Sequence, residues 1–256
     1  MLRICQKIAQ RIQSWAKFCF LLAFSSLVAG NAWSAEWNAQ DFANLHNKGK
    51  NMKILIIGAH GSVARWVIEA FLKNTDVNLV LFLRNAKRLE RIESLQSPRV
   101  QVIEGDTTDK DALKKAMQGV DVVYANLAGN LAQMATTIVG AMNESKVERL
   151  IWISSYGIYQ NEYHEIPTQA FGSISPALAP YRESALIVEG SNLKYTIIRP
   201  CWFSNADEID YELTQKGEAF KNPSGLISRK SIAHLVVRLA LEPDFGIRQS
   251  LGINKP

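Results

Sequence analysis

Ile54-Leu55-Ile56-Ile57-Gly58-Ala59-His60-Gly61-Ser62-Val63-Ala64 is the stretch on which the reading of this chain turns. Its first four residues are an unbroken apolar run rich in β-branched side chains, the mark of a strand buried on both faces. Beyond it, apolar residues recur at Val63, Trp66, Val67, Ala70 and Phe71, a spacing that lines one face of a helix. Gly58 permits a tight turn between the two, Gly61 lets backbone approach a pyrophosphate, and Ala64 supplies a third small residue where the helix packs on the sheet. A diphosphate placed there rests on the free N–H groups at the positive end of the helix. Two glycines alone mark many turns. At the first strand–helix junction of a parallel sheet they indicate a dinucleotide site.

The pattern continues outward. A strand is expected at Val77–Leu83, a polar helix at Lys87–Gln96, a strand at Val100–Glu104, a short helix at Lys110–Met117 and a strand at Val120–Ala125. A helix over Leu131–Met142 and a strand over Leu150–Ser154 follow, then a helix over Tyr181–Ser191 and a strand over Tyr195–Ile198. A helix at Ser231–Leu241 and a last strand near Ser250–Ile253 close the chain. This alternation predicts an α/β chain of Rossmann type, a doubly wound parallel sheet with helices on both faces. Residues 52–256 form the nucleotide-binding domain, with 200–256 contributing a small substrate lobe. Residues 160–180, with three prolines and Gly172, break the rhythm as a working or mobile loop.

The ends of the strands hold the remaining candidates. Leu83-Arg84-Asn85 closes the second strand where an NAD site usually has an acid for the ribose 2′-hydroxyl. Arg84 suits a 2′-phosphate and favours NADP(H) over NAD(H); otherwise it is a solvated surface cation. Asp106, in Gly105-Asp106-Thr107, can accept from an adenine amino group or cap the helix near Lys110. Asn126-Leu127-Ala128-Gly129 suits a ribose and nicotinamide slot, or is simply a loop. His60 touches the cofactor or only watches it.

The series GAHGSVA, FLRN, GDTTD, ANLAG, ISSYGIY and YTIIRP resembles the atypical short-chain dehydrogenase/reductases, and within them the NmrA-like NAD(P)-binding proteins and their flavin-reductase-type relatives. The likeness covers 52–256. It implies Gly58, Gly61, Ser62 and Val63 on the diphosphate and Arg84 on the 2′-phosphate. It also implies Asp106 and Thr107 near adenine, Leu127 and Ala128 near the ribose, and Ser154, Ser155 and Pro200 around the nicotinamide. Catalytic members of the wider group carry a Tyr with a Lys four residues later, one helical turn apart, so that the cation lowers the phenol's pKa. Tyr181 occupies the expected place, as a catalytic candidate for proton transfer or as a helix-start packing residue, but Ala185 stands four residues on; Tyr156 and Tyr159 are followed at that spacing by Gln160 and Tyr163. Without the relay, a hydride can still pass to a flavin, quinone or similar acceptor that takes its proton from water, with Ser155 orienting the acceptor. The alternative is a non-catalytic NADP(H)-binding redox sensor. Trp202 and Phe203 either wall the acceptor pocket or belong to the core.

Composition narrows the partners. The chain has 256 residues, 47% apolar and 21% charged, an ordinary globular balance. Its net charge of +5 sits mostly in residues 1–51, and the remainder has no excess with which to hold nucleic acid. Of three cysteines only Cys201 lies in the body, where it reads as a small buried hydrophobe. The four histidines share no ligand spacing, so no metal is expected. The partner indicated is a small molecule, and the oligomeric state is not legible.

Residues 1–17 are basic and 18–30 apolar, the layout of a secretory signal too short to span a bilayer comfortably. Against export, Met52 opens directly onto a strand, and Lys48-Gly49-Lys50 would be encoded by purine-rich, ribosome-binding-like sequence. Translation from Met52 leaves a cytoplasmic protein with no membrane contact; a real leader implies export. The leader has no twin-Arg pair, which would leave a fold-held cofactor behind and favours the cytoplasm.

Overall fold

The structure, a computed structural model, describes residues 49–89, 96–159 and 176–256. The signal-like leader, most of the expected helix over Lys87–Gln96 and most of the 160–180 loop lie outside these residues. Within them, eight strands form one sheet in the order β3-β2-β1-β4-β5-β6-β10-β8. The strands are β1 (Lys53–Ile57), β2 (Asn78–Leu83), β3 (Val100–Glu104), β4 (Val122–Ala125), β5 (Arg149–Ile153), β6 (Lys194–Pro200), β8 (Glu212–Thr214) and β10 (Gln249–Asn254). Strands β1 to β6 and β10 pair in parallel and β8 runs antiparallel to β10. The order of the first six is that of the doubly wound Rossmann fold, with its switch point between β1 and β4.

Side-chain alternation along each strand divides the core into two layers. Ile54 and Ile56 face α1 (Ser62–Asn74) and α5 (Arg229–Leu241), together with Leu79, Leu81 and Ile198. Leu55 and Ile57 face α2 (Lys110–Ala116), α3 (Leu131–Ser145) and α4 (Ala179–Glu189), with Val80, Phe82 and Trp152. Both layers being dry explains why the run 54–57 has no polar alternation; burying each such side chain stabilises by about 1.5–3 kcal/mol. The outermost strand, β3, keeps Val102 exposed, as an edge position allows.

Two cations lie inside this body. Arg149 donates to the carbonyls of Lys194, Leu239 and Phe245 and to Thr196 Oγ1, so one guanidinium ties β5 and β6 to the end of α5. Arg199 donates to the Ser250 hydroxyl and carbonyl, both at 3.1 Å, and stacks over Tyr159. Burial lowers each pKa to about 10, which still leaves both charged at neutral pH.

Three observations bear on the expectations from sequence. Residues Ala86–Leu89 form a 3-10 turn that includes the first three residues of the expected helix; residues 90–95 of that helix lie outside the described residues. Much of 200–256 belongs to the main body, since α5 covers the sheet and β8 and β10 extend it. What stands off the sheet is a two-stranded parallel ribbon of β7 (Phe203–Ser204) and β9 (Ile227–Ser228). Trp202 is no core residue: it is 77% exposed, and Phe203 is also exposed.

Candidate functional site

The register of β1 with β2 and β4 brings Gly58, Arg84 and Asn126 to one edge of the sheet, each just past its strand's last pairing. Gly58 has φ +79°, in the region that favours glycine, and donates its N–H to Phe82 O at 2.9 Å. Gly61 closes the turn by donating to Gly58 O at 2.9 Å. A Cβ on Gly58 would lie 2.2 Å from Asn126 O, and one on Gly61 would lie 2.1 Å from Asn126 Nδ2. The space these glycines leave is thus filled by Asn126, which seats the loop after β4 on the first turn. Sequence reasoning gave Gly61's small size to a pyrophosphate; the nearest group in the structure is this amide.

Helix α1 begins at Ser62 with Gly61 as its cap. No side chain bonds to its first N–H groups, and no acid lies in its first turn. By contrast α2, α3 and α5 are capped by Asp109, Asn130 and Ser228, while α4 shares the lack of a side-chain cap. The side chain of Val63 is buried, so Val63 offers the site only its N–H, while Ser62 is exposed. The open N–H groups of Ser62 and Val63 at a helix's positive end suit an anion, and these residues fit a dinucleotide's diphosphate.

Two arginines, Arg65 and Arg88, act on His60 in this turn. His60 Nε2 lies 2.6 Å from Arg65 Nη2 on α1. Arg84, Lys87 and Arg88 are exposed on the loop after β2, and Glu104 holds that loop by accepting from Ala86 N–H at 3.0 Å. Asp106 accepts from the Thr108 amide at 2.8 Å and hydroxyl at 2.7 Å. Those bonds, with the charge of Arg84 adding, hold Asp106 below the ordinary carboxylate range. Asp106 does not cap the next helix, because Asp109 does. Thr107 is buried, Leu127 half-buried and Ala128 exposed.

The last two strands complete the edge. Ser154 N–H donates to Ile198 O at 2.8 Å, and Tyr156 N–H to Pro200 O at 3.1 Å, so the loop after β5 and the end of β6 form one wall. The Ser154 hydroxyl is buried and points to Tyr181 O at 3.4 Å; the half-buried Ser155 hydroxyl donates to Tyr156 O at 3.2 Å. Tyr181 lies in the first turn of α4, and Ala185 beneath it is fully buried. Tyr159 donates to Glu189 at 2.6 Å, and burial with that contact pushes its phenol far up. Cys201 is buried, which pushes its thiol up to about 12 and makes it inert. On the outer side Trp202 O accepts from Ile227 N–H, and the Arg229 guanidinium lies 5.1 Å over Phe203.

The sequence-predicted residues therefore gather at one edge of the sheet. Missed were Asn126 as the group that demands both glycines, and Arg65, whose place in the first turn of a helix opening on His60 was the available signal. Among the described residues no group of His, Cys, Asp and Glu could hold a metal ion, and no helix is long and apolar enough to cross a membrane.

Residues 58–243 match a family described as NAD(P)H-binding. A Rossmann-fold NAD(P)-binding family protein from Shigella flexneri is 37% identical, over 80% of this chain and 94% of that one, with a TM-score of 0.66. A short-chain dehydrogenase/reductase from Veillonella parvula, solved in complex with NADP, is 27% identical over 80% and 95%, with a TM-score of 0.72. An isoflavone reductase homologue of Nicotiana glauca is 26% identical over 160 residues, 60% of this chain. The chain spans about half the length of that curated relative (49%).

Proposed function

The chain belongs to the NAD(P)H-binding family, and from that premise we propose that it is an NADPH-dependent oxidoreductase acting on a small conjugated acceptor, a flavin, quinone or similar molecule. The observation that carries this reading is the uncapped start of α1 under the Gly58–Gly61 turn, at the switch point of the sheet, with the charges of Arg65 and Arg88 acting on His60 in that turn. The open N–H groups of Ser62 and Val63 hold the diphosphate. Arg84 meets the 2′-phosphate and sets the preference for NADP(H). Asp106 and Thr107 lie at the adenine, Leu127 and Ala128 at the ribose, and Ser154 and Pro200 at the nicotinamide.

When bound, the reduced nicotinamide supplies a hydride. The protein's part is to position the acceptor and shut out side reactions, which alone accounts for large rate gains. Ser155 orients the acceptor, accepting from a flavin ring N–H with the lone pair its bond to Tyr156 O leaves free, or turning its hydroxyl from that carbonyl to a quinone oxygen. Trp202 and Phe203, exposed beside the end of β6, wall the acceptor from outside. A Tyr–Lys relay has no counterpart: Ala185 fills the lysine's place, and the Tyr159 phenol is too poor an acid. A conjugated acceptor therefore draws its proton from water.

That same alanine favours the second reading, a sensor that binds NADP(H) and transfers nothing. One assay decides. The chain is mixed with NADPH and a panel of flavins, quinones and aldehydes, and loss of the reduced nicotinamide's absorbance is followed. Turnover on flavins or quinones that survives Tyr181→Phe supports the oxidoreductase. Tight NADPH binding with no turnover on any acceptor supports the sensor.

A further inference from the structure

His60 lies in the turn between the two glycines, and its contact with Arg65 has a chemical consequence. A guanidinium has only hydrogens to offer, so Nε2 accepts, and the imidazole is neutral with its proton on Nδ1. Burial first, then the charges of Arg65 and Arg88, pushes the ring's pKa below its ordinary value. The charged groups acting on the ring are Arg65 from α1 and Arg88 from the turn after β2. Arg84, on the same loop as Arg88, acts on Asp106 across the end of β3, and the group reaching the glycine turn from the β4 loop is the neutral Asn126. Among the described residues no carboxylate makes an ion pair with Arg65, Arg84 or Arg88. Burial and these cations together hold the imidazole toward its neutral form. A phosphate monoester, bringing about −1.5 to −2 charges at neutral pH, reverses the field at the ring.

We infer that His60 is a proton-linked specificity residue: it takes up a proton from solvent when a dinucleotide carrying a 2′-phosphate binds, so that preference for NADP(H) over NAD(H) strengthens as the pH falls. This rests on the cofactor reading above. In the free protein the neutral ring accepts from Arg65. With the phosphate present the protonated ring becomes a donor on both nitrogens, and Arg65 is released to the anion. The bound-state pKa is raised above the free-state one. The added affinity is therefore complete below the free-state pKa and is lost as the pH rises through the bound-state pKa. The nucleotide's own 2′-phosphate, whose second ionisation lies near 6, works in the opposite sense, because cations prefer its dianion. The window is accordingly above that value.

The test is isothermal titration of the full chain with NADPH and with NADH between about pH 8.5 and 6.5, in buffers of different ionisation enthalpy, repeated with His60→Asn and Arg65→Ala. NADPH is expected to bind roughly three- to tenfold more tightly at the lower pH, with fractional proton uptake, while NADH stays level. His60→Asn abolishes both the uptake and the trend, and Arg65→Ala alters both. Uptake that persists in His60→Asn overturns the inference. An equal trend with NADH also overturns it, since the diphosphate common to both nucleotides would then be the group sensed. NADPH binding with no pH dependence overturns it and leaves the cofactor reading standing. No saturable binding of either nucleotide at any pH overturns the cofactor reading itself, and the inference with it.

Discussion

Replacing Gly58 by alanine tests the geometry of the first turn, because two separable costs meet there. The first is conformational: φ of +79° costs a residue with a Cβ about 1–2 kcal/mol. The second is steric. The new Cβ would stand 2.2 Å from Asn126 O, whereas ordinary contact begins at 3.4 Å, so something must move by more than an ångström. Asn126 is not free to do so, since its N–H donates to Ile57 O at 2.9 Å at the end of a central strand. Overpacking of this kind costs a further ~1–3 kcal/mol. Gly217 supplies the control: its φ is +87°, but nothing lies within 4 Å of its Cβ position. Gly217→Ala therefore carries the first cost alone. For a domain of this size a kcal/mol lowers the melting temperature by roughly 2–4 °C. Gly217→Ala should melt about 2–8 °C lower, and Gly58→Ala about 4–20 °C lower. Thermal unfolding followed by far-UV circular dichroism, with urea midpoints as a check, measures both. Equal losses for the two variants would refute the claim that Asn126 occupies the space the glycine leaves.

Arg84→Glu should weaken NADPH binding by roughly 30-fold or more, the loss of a charge-assisted contact worth about 2 kcal/mol, and NADH binding far less. Fluorescence titration measures both, and equal effects would make Arg84 a bystander. Arg149→Met strips partners from the buried carbonyls of Lys194 and Leu239, so urea unfolding should report a loss of ~3 kcal/mol or more. A variant as stable as the parent would mean that the guanidinium's desolvation cancels its bonds. Cys201, its thiol raised to about 12 by burial, should stay unmodified by iodoacetamide at neutral and mildly alkaline pH while the chain is folded, and react once urea unfolds it. Peptide mapping keeps Cys201 apart from Cys5 and Cys19, and rapid labelling in the native chain would count against its burial.

Legibility in the sequence followed the length of the pattern. Ile54–Ile57 and the helices at Ser62, Leu131 and Arg229 are long enough for burial on fixed faces to leave a period, and the doubly wound order follows from their alternation. Strands β7, β8 and β9 have two or three residues each, too few to show a period, so the ribbon that carries Phe203 was invisible. Trp202 stayed open between core and pocket wall for a related reason: its type suggests burial, and no period marks the segment that the structure leaves exposed. The two glycines could be seen, but not the partner that requires them, because Asn126 comes from a strand 64 residues beyond the start of α1 and meets the turn only through sheet register. The same holds for Arg149 and Arg199. A lone arginine in an apolar strand gives no hint that distant carbonyls will take its charge in.

The most direct measurement of the central claim is amide mapping. In ¹⁵N–¹H spectra of the protein titrated with NADPH, the backbone signals of Gly61, Ser62 and Val63 should move together and saturate, with Arg84 shifting alongside. Saturable shifts elsewhere that leave these amides still, or no shift at all, would contradict the assignment of the first turn as the phosphate cradle.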